Sequence, residues 1–225
     1  KELIGAVLEC IDALVAEHDI DPRRIYITGQ SMGGFGTFGA LVARPHTFAA
    51  AVPCASGWDP SVADSIAHVP IWAFHGAKDP TVPVQFTRNM VEALRDAGGN
   101  PKYTELPEVG HNSWLNAYRT EEMWEWMFAQ RLPEDKPAED GREAREPEPG
   151  VTVPQTIQHG GRERTYNVHL PAGYSDETAA PVVLIFHGGG GTPERIERHT
   201  GMSDLADRQG FIAVYPRGVA RHWND

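Results

Sequence analysis

Arg24-Ile25-Tyr26-Ile27-Thr28-Gly29-Gln30-Ser31-Met32-Gly33-Gly34 is the stretch on which the reading of this chain turns. A run rich in β-branched residues, 25–28, enters a tight turn whose glycines flank a serine, and a helical pattern follows over 32–44. Gly-x-Ser-x-Gly set between strand and helix is the sequence of a nucleophile elbow. Gly29 and Gly33 leave room for a strained turn that pushes the Ser31 hydroxyl out above a sheet. The Met32 N–H, opening the helix, then points toward a developing oxyanion.

A serine hydroxyl is a poor nucleophile until a positioned base takes its proton, and that base needs an acid to fix its tautomer. Outward from Ser31, the next acid in a turn at a strand end is Asp79, in HGAKDPTVP, and the next loop histidine is His111, in VGHNSW. Ser, Asp and His in that chain order, each just past a strand, is the order of the α/β hydrolases. The plainer readings, Asp79 as a turn residue before Pro80 and His111 as an ordinary loop histidine, stay open from spacing alone.

The flanking pattern suits that frame. A helical period runs over 2–18, and strands are expected at 24–28, 48–52, 71–75 and 102–106. Helices are expected at 84–97 and 118–131. Residues 133–150, PEDKPAEDGREAREPEPG, are almost devoid of apolar side chains and read as a solvated linker. Strands follow at 151–157, 164–170, 182–186 and 211–215, with a turn at 159–161, a helix at 201–209 and a loop at 222–225. Strands alternating with helices indicate an α/β fold, a mostly parallel sheet with an antiparallel edge.

Composition excludes several classes. The 225 residues carry a formal charge of −11, which argues against a nucleic-acid or anionic-membrane surface. The apolar run 182–186 is far short of a membrane span. Cys10 and Cys54 sit in apolar contexts and read as buried small side chains rather than a disulfide or a nucleophile. The ten histidines show no paired metal-ligand spacing, so neither metal nor cofactor is expected. Gly34 to Gly39 match Gly-x-Gly-x-x-Gly, but begin inside the helix rather than in the turn after the strand, so a dinucleotide site does not fit. No Gly-Lys-Ser/Thr follows HGGGGT, so it is not a phosphate loop. His75 and His187, each before a glycine at a strand end, are read as hydrogen-bonded structural residues.

DPRRIYITGQSMGGFGTF, VPIWAFHGAKDPTVPV and PEVGHNSW together resemble the esterase and predicted-peptidase branch of the α/β hydrolases, relatives of polyhydroxybutyrate depolymerases and feruloyl esterases. The resemblance covers residues 1–132 and implies Ser31 as nucleophile, Asp79 as acid and His111 as base. RTYNVHLPAGY, PVVLIFHGGGG and FIAVYPRGVARHWND, within 160–225, resemble the opening strands of a depolymerase-type esterase. In that family the loop after His-Gly supplies the second oxyanion donor, here the N–H of Gly188 or Gly189. The resemblance implies a small ester or polyester substrate, and Trp58 and Trp114, in loops on the catalytic side, are expected to line an acyl or aromatic pocket. Peptide hydrolysis by the same three residues, or a silent truncated hydrolase serving as a binding module, are the alternatives.

The departure from the family is order. Residues 1–132 match its C-terminal half, 133–150 are the linker, and 151–225 match its N-terminal half. Alone, strands 24–28 and 182–186 would each leave an apolar edge unpaired, and in the family these two are neighbours. A circularly permuted domain or a window cut from a tandem pair would give this order, and a tandem-derived fragment is the expected origin. The eighteen linker residues reach roughly 60 Å when extended, against a radius of gyration of about 17 Å for a domain of this size. The halves are therefore expected to pack as one sheet, within a chain or swapped in a homodimer. The chain opens in a helical pattern without Met, so targeting segments are expected outside it, and the resemblance fits a secreted or periplasmic setting.

Overall fold

The computed structural model describes residues 2–133, 149–175, 177–219 and 223. The first part runs α1 (Glu2–Glu17), β1 (Ile20–Gln30), α2 (Met32–Ala43), β2 (Ala50–Cys54), α3 (Ala63–Ile66), β3 (Trp72–Gly76), α4 (Gln85–Asp96), β4 (Lys102–Leu106), α5 (Trp114–Ala117) and α6 (Glu121–Ala129). The second runs β5 (Thr152–His159), β6 (Arg162–His169), β7 (Ala180–Phe186), α7 (Pro193–Thr200), α8 (Met202–Gln209) and β8 (Ile212–Pro216). All eight strands form one sheet in the order β4-β3-β2-β1-β7-β8-β6-β5. Pairing is parallel from β4 through β8 and antiparallel at β6, an α/β-hydrolase sheet flanked by helices.

The centre of the sheet is the β1–β7 pair, where Ile25 to Gly29 lie beside Val182 to Phe186 in register. Each strand thus covers the apolar edge that the other would expose. Alternation across the pleat sorts the side chains. Ile25, Ile27, Val182, Leu184 and Phe186 meet Leu8, Ile11, Phe38 and Leu41 of α1 and α2 on one face. Tyr26, Val183 and Ile185 meet Met123, Trp124 and Met127 of α6 and Met202 of α8 on the other.

Prolines explain the sheet's irregularities, because each removes one donor. Pro22 and Pro181 fall where the β1–β7 register shifts, between Ile20↔Ala180 and Ile25↔Val182. The strand consequently begins at Ile20 rather than at residue 24 as expected. In β2, the Ala51 and Ala55 amides donate toward the β3 side, to Pro70 O and Phe74 O. Pro53, two residues from each, has no N–H to offer there, and β2–β3 pairing shrinks to Cys54↔Phe74 and an isolated bridge at Ala51↔Ile71. On the β1 side the register continues to Gln30↔Cys54, which carries β2 past the expected end at 52.

Two further differences concern helices. The expected helix at 118–131 is shorter, α6 at Glu121–Ala129: Thr120 at its N-cap is extended, its first turn holds Glu121 and Glu122, and a separate short helix, α5, lies before residue 118. Helix α7 is not among the expected elements. Its signals are present, with Thr192 accepting from Arg195 N, Pro193 in the first turn and Gly201 left-handed at the end. Only Pro193 and Ile196 are buried in it, too few apolar positions to mark a period. Most of the expected linker, and of the expected loop at 222–225, lies outside the described residues. No described helix is long and apolar enough to cross a membrane.

Candidate active site

Strand β1 delivers Ser31 into a turn held by Ser31 N–H donating to Cys54 O. Ser31 has φ 54° and ψ −120°, a strained backbone for any residue with a Cβ. The turn closes only because its neighbours are bare. A Cβ on Gly29 would lie 2.2 Å from Gly33 O, and one on Gly33 would lie 2.3 Å from Phe186 O. Met32 then starts α2, and its side chain meets the loop after β7, where a Cβ on Gly189 would come within 2.7 Å of Met32 Sδ. Gly188 lies against Gln30 of the elbow. The two stretches expected to supply oxyanion donors are thus adjacent in space.

Three loops at the C-terminal ends of β1, β3 and β4 bring Ser31, Asp79 and His111 together. His111 Nε2 accepts from Ser31 Oγ at 2.9 Å, and His111 Nδ1 donates to Asp79 Oδ2 at 2.7 Å. Asp79 Oδ1 accepts from the Thr81 and Val82 amides at 2.8 and 2.9 Å. Burial works against the ionised Asp79 carboxyl, but the hydrogen bonds from His111 and from the Val82 and Thr81 amides outweigh it, and the carboxyl sits below the ordinary aspartate value. At neutral pH it is a carboxylate able to stabilise a transient imidazolium.

His75, a structural histidine by its sequence context, shares that carboxylate. Its Nε2–H lies 3.1 Å from Asp79 Oδ2 and 3.0 Å from Val82 O, and its Nδ1 is 2.6 Å from Thr87 Oγ1. Burial holds the ring below the usual histidine value despite the Val82 carbonyl and Asp79. A neutral ring donating from Nε2 suits Asp79 and the Val82 carbonyl, while the Thr87 hydroxyl beside Nδ1 donates its proton to Ser56 O. Spacing hints at the contact, since residues 75 and 79 stand at the two ends of one strand-to-turn segment, but nothing local tells the ring's direction.

Ser31 opens into a cleft of about 210 Å³ whose walls include Gln30, His111, Trp114, Gly188, Gly189 and Arg195. Trp114, on α5 rather than in a loop, stands edge-on to His111 with ring centroids 5.3 Å apart. Trp58 is elsewhere: it lines a separate apolar depression with Phe35, Pro60 and Phe86. The wall formed by Arg195, Ile196 and His199 is not foreseen from the sequence, because it belongs to α7. His187, at the end of β7, donates from Nδ1 to Gly188 O at 2.8 Å and accepts Gly218 N–H at Nε2 at 3.2 Å, so its hydrogen bonds serve the loop. Cys10 and Cys54 are buried and unbridged, as expected, and burial pushes the Cys10 thiol up to about 12.

A family model described as phospholipase/carboxylesterase matches residues 1–139. The proposed esterase NocK of Nocardia uniformis subsp. tsuyamanensis is 35% identical over 75 residues, 33% of this chain and 22% of its own length. Among solved structures, a thermostable esterase shares 41% identity, with a TM-score of 0.56 over 58% of this chain and 37% of that chain. This chain therefore spans well under half the length of either relative. A PHB depolymerase from Penicillium funiculosum superposes over 91% of this chain and 82% of that chain with a TM-score of 0.67; at 14% identity the likeness is one of fold.

Proposed function

The chain belongs to the phospholipase/carboxylesterase family of α/β hydrolases, and from that premise we propose that it is a serine carboxylic-ester hydrolase. The observation that carries the proposal is the continuous relay from Ser31 Oγ through His111 to Asp79, with contacts of 2.9 and 2.7 Å. In this reading His111 Nε2 takes the Ser31 proton as Oγ attacks the ester carbonyl. The backbone N–H groups of Met32 and of Gly188 or Gly189 hold the tetrahedral oxyanion, each donor worth on the order of 10²–10³ in rate. Collapse of the adduct expels the alcohol, which leaves with the proton from His111. Water then attacks the acyl-serine, gives a proton to His111, and releases the acid and free Ser31. Asp79 keeps the imidazole in its Nδ1–H tautomer throughout. The substrate is a small ester or a polyester, and no cofactor enters any step.

Residues 1–132 and 151–225 are, in the same proposal, the C-terminal and N-terminal halves of one hydrolase domain in permuted order, joined by 133–150. The in-register β1–β7 seam supports it, because it sets the elbow at Gln30 and Met32 beside the loop at Gly188 and Gly189.

Fluorophosphonate labelling with peptide mapping, after size exclusion, tests the whole reading. One adduct per chain on Ser31 in a monomer peak is expected, absent in Ser31→Ala. Hydrolysis of p-nitrophenyl butyrate, without cleavage of peptide p-nitroanilides, separates esterase from peptidase. Asp79→Asn should lower kcat by about 10⁴ while the protein stays folded. Labelling confined to a dimer peak would replace closure within a chain by swapping between chains. Folded protein that takes no label would refute catalysis and leave a binding module.

A further inference from the structure

We infer that the Ser31 cleft selects esters carrying a carboxylate a few bonds from the scissile carbonyl, captured by Arg195 with His199 beside it. The inference rests on the hydrolase reading above and adds the class of substrate. Arg195 and His199 stand four residues apart on α7, hence on one helix face, and both line the cleft that holds Ser31 and His111. Both are exposed, and among the described residues neither side chain has a hydrogen-bond or ion-pair partner.

The rest of α7 is arranged differently. Glu194 pairs with Arg217, and Glu197 accepts from Thr152 and from Ser203. The helix's acids are therefore engaged by other partners, while one of its two guanidiniums, Arg195, and its imidazole, His199, line the cleft. Against the charge of the whole chain this is a reversal. The sequence holds 31 Asp and Glu residues and a formal charge of −11, yet no carboxylate lines the cleft among the described residues. Asp79 is the nearest acid in the relay, and its side chain is fully buried beneath His111.

A guanidinium is a permanent cation whose planar fork matches a carboxylate with two parallel hydrogen bonds. Left unpaired at the rim of a reaction cleft, it favours a substrate that brings its own negative charge. The cleft is about 210 Å³, so a carboxylate held at the α7 wall stays close to the carbonyl that Ser31 attacks. Half-esters of short dicarboxylic acids fit this description.

The test compares monoethyl succinate with ethyl succinamate, in which a carboxamide of the same shape replaces the carboxylate, by ethanol release. The ratio of kcat/KM values, anionic over neutral, should be about ten or more at low ionic strength, the lower end for a charge-assisted hydrogen bond. It should fall toward one in 0.5 M NaCl, and by at least fivefold in Arg195→Gln. Arg195→Glu should invert it. A wild-type ratio of one or less, or a ratio that Arg195→Gln leaves unchanged, overturns the inference. Turnover of p-nitrophenyl butyrate with neither succinate ester accepted also overturns it, while the hydrolase reading stands. Failure on p-nitrophenyl butyrate together with no adduct on Ser31 refutes the hydrolase reading, and this inference with it.

Discussion

Gly33→Ala tests whether the elbow and the β7 loop are built as one unit. The added methyl would lie 2.3 Å from Phe186 O, 2.6 Å from His187 O and 2.7 Å from Phe186 C. A carbon sits comfortably about 3.3 Å or more from such an oxygen, so α2 and β7 must separate by about 1 Å. Both sides of the contact are main chain, which has no rotamer to yield, so the strain belongs at the upper end of the usual range for overpacking, about 3 kcal/mol. Replacing glycine within a helix returns about 1 kcal/mol. The net loss of about 2 kcal/mol corresponds to a fall in Tm of roughly 4–8 °C for a chain of this length. A 1 Å displacement of Ser31 from its donors costs on the order of 10² in kcat. Thermal melts by circular dichroism and p-nitrophenyl butyrate kinetics read both effects. Gly173→Ala is the control, since a Cβ there has no atom within 4 Å, and it should melt within about 1 kcal/mol of wild type. A Gly33→Ala protein with wild-type Tm and kcat would refute the reasoning that the packing of α2 on β7 sets the site.

Two other predictions concern titratable groups. His75→Phe removes the 3.1 Å contact to Asp79 Oδ2, and should lower kcat about tenfold, the worth of one hydrogen bond to a charged group, with KM within twofold. Partial rescue by His75→Gln is expected, whereas wild-type kcat in the folded Phe variant would show that the Thr81 and Val82 amides suffice to hold Asp79. Glu105, hydrogen-bonded by Arg88 and then by Tyr103, is lowered from 4.5 to about 2. A depressed carboxylate contributes stability above its unfolded value and loses it as pH falls through its folded one, so this contribution should be complete above about pH 4.5 and vanish toward pH 2. As a partly exposed ion pair it is worth at most about 1 kcal/mol, so Glu105→Gln should lower Tm by no more than about 4 °C at pH 7. A Tm difference that calorimetry finds constant from pH 7 to pH 2 would exclude this linkage.

The local parts of this protein are legible in its residues alone. The elbow is encoded in part by short-range sterics, since a Cβ on Gly29 would strike Gly33 O, whereas the need for a bare Gly33 comes from Phe186 O across the sheet. β4 lies at the 102–106 expected for it, and Asp79 and His111 are marked by their positions past strand ends. Departures cluster where local signals conflict. The strand expected from 24 begins at Ile20, so that Pro22 sits within the β1–β7 irregularity, and PERIERHT carries too little apolar pattern to be recognised as a helix.

Adjacency between distant segments is decided by tertiary structure. That β1 and β7 close one sheet, with Thr28 opposite Ile185, depends on burying the wholly apolar β7 against the buried stretch of β1 across more than half the chain. That Arg195 and His199 wall the cleft follows from that closure and from the packing of Ile196 into the core, while the turn of His75 toward Asp79 and the separate depression at Trp58 follow from packing within the first part of the chain. Hydrophobic periodicity names which face of an element is buried and is silent on what covers it. The candidate site at Ser31 is therefore legible in the sequence, while the α7 wall of its cleft is decided only when β7 and the elements after it pack against β1.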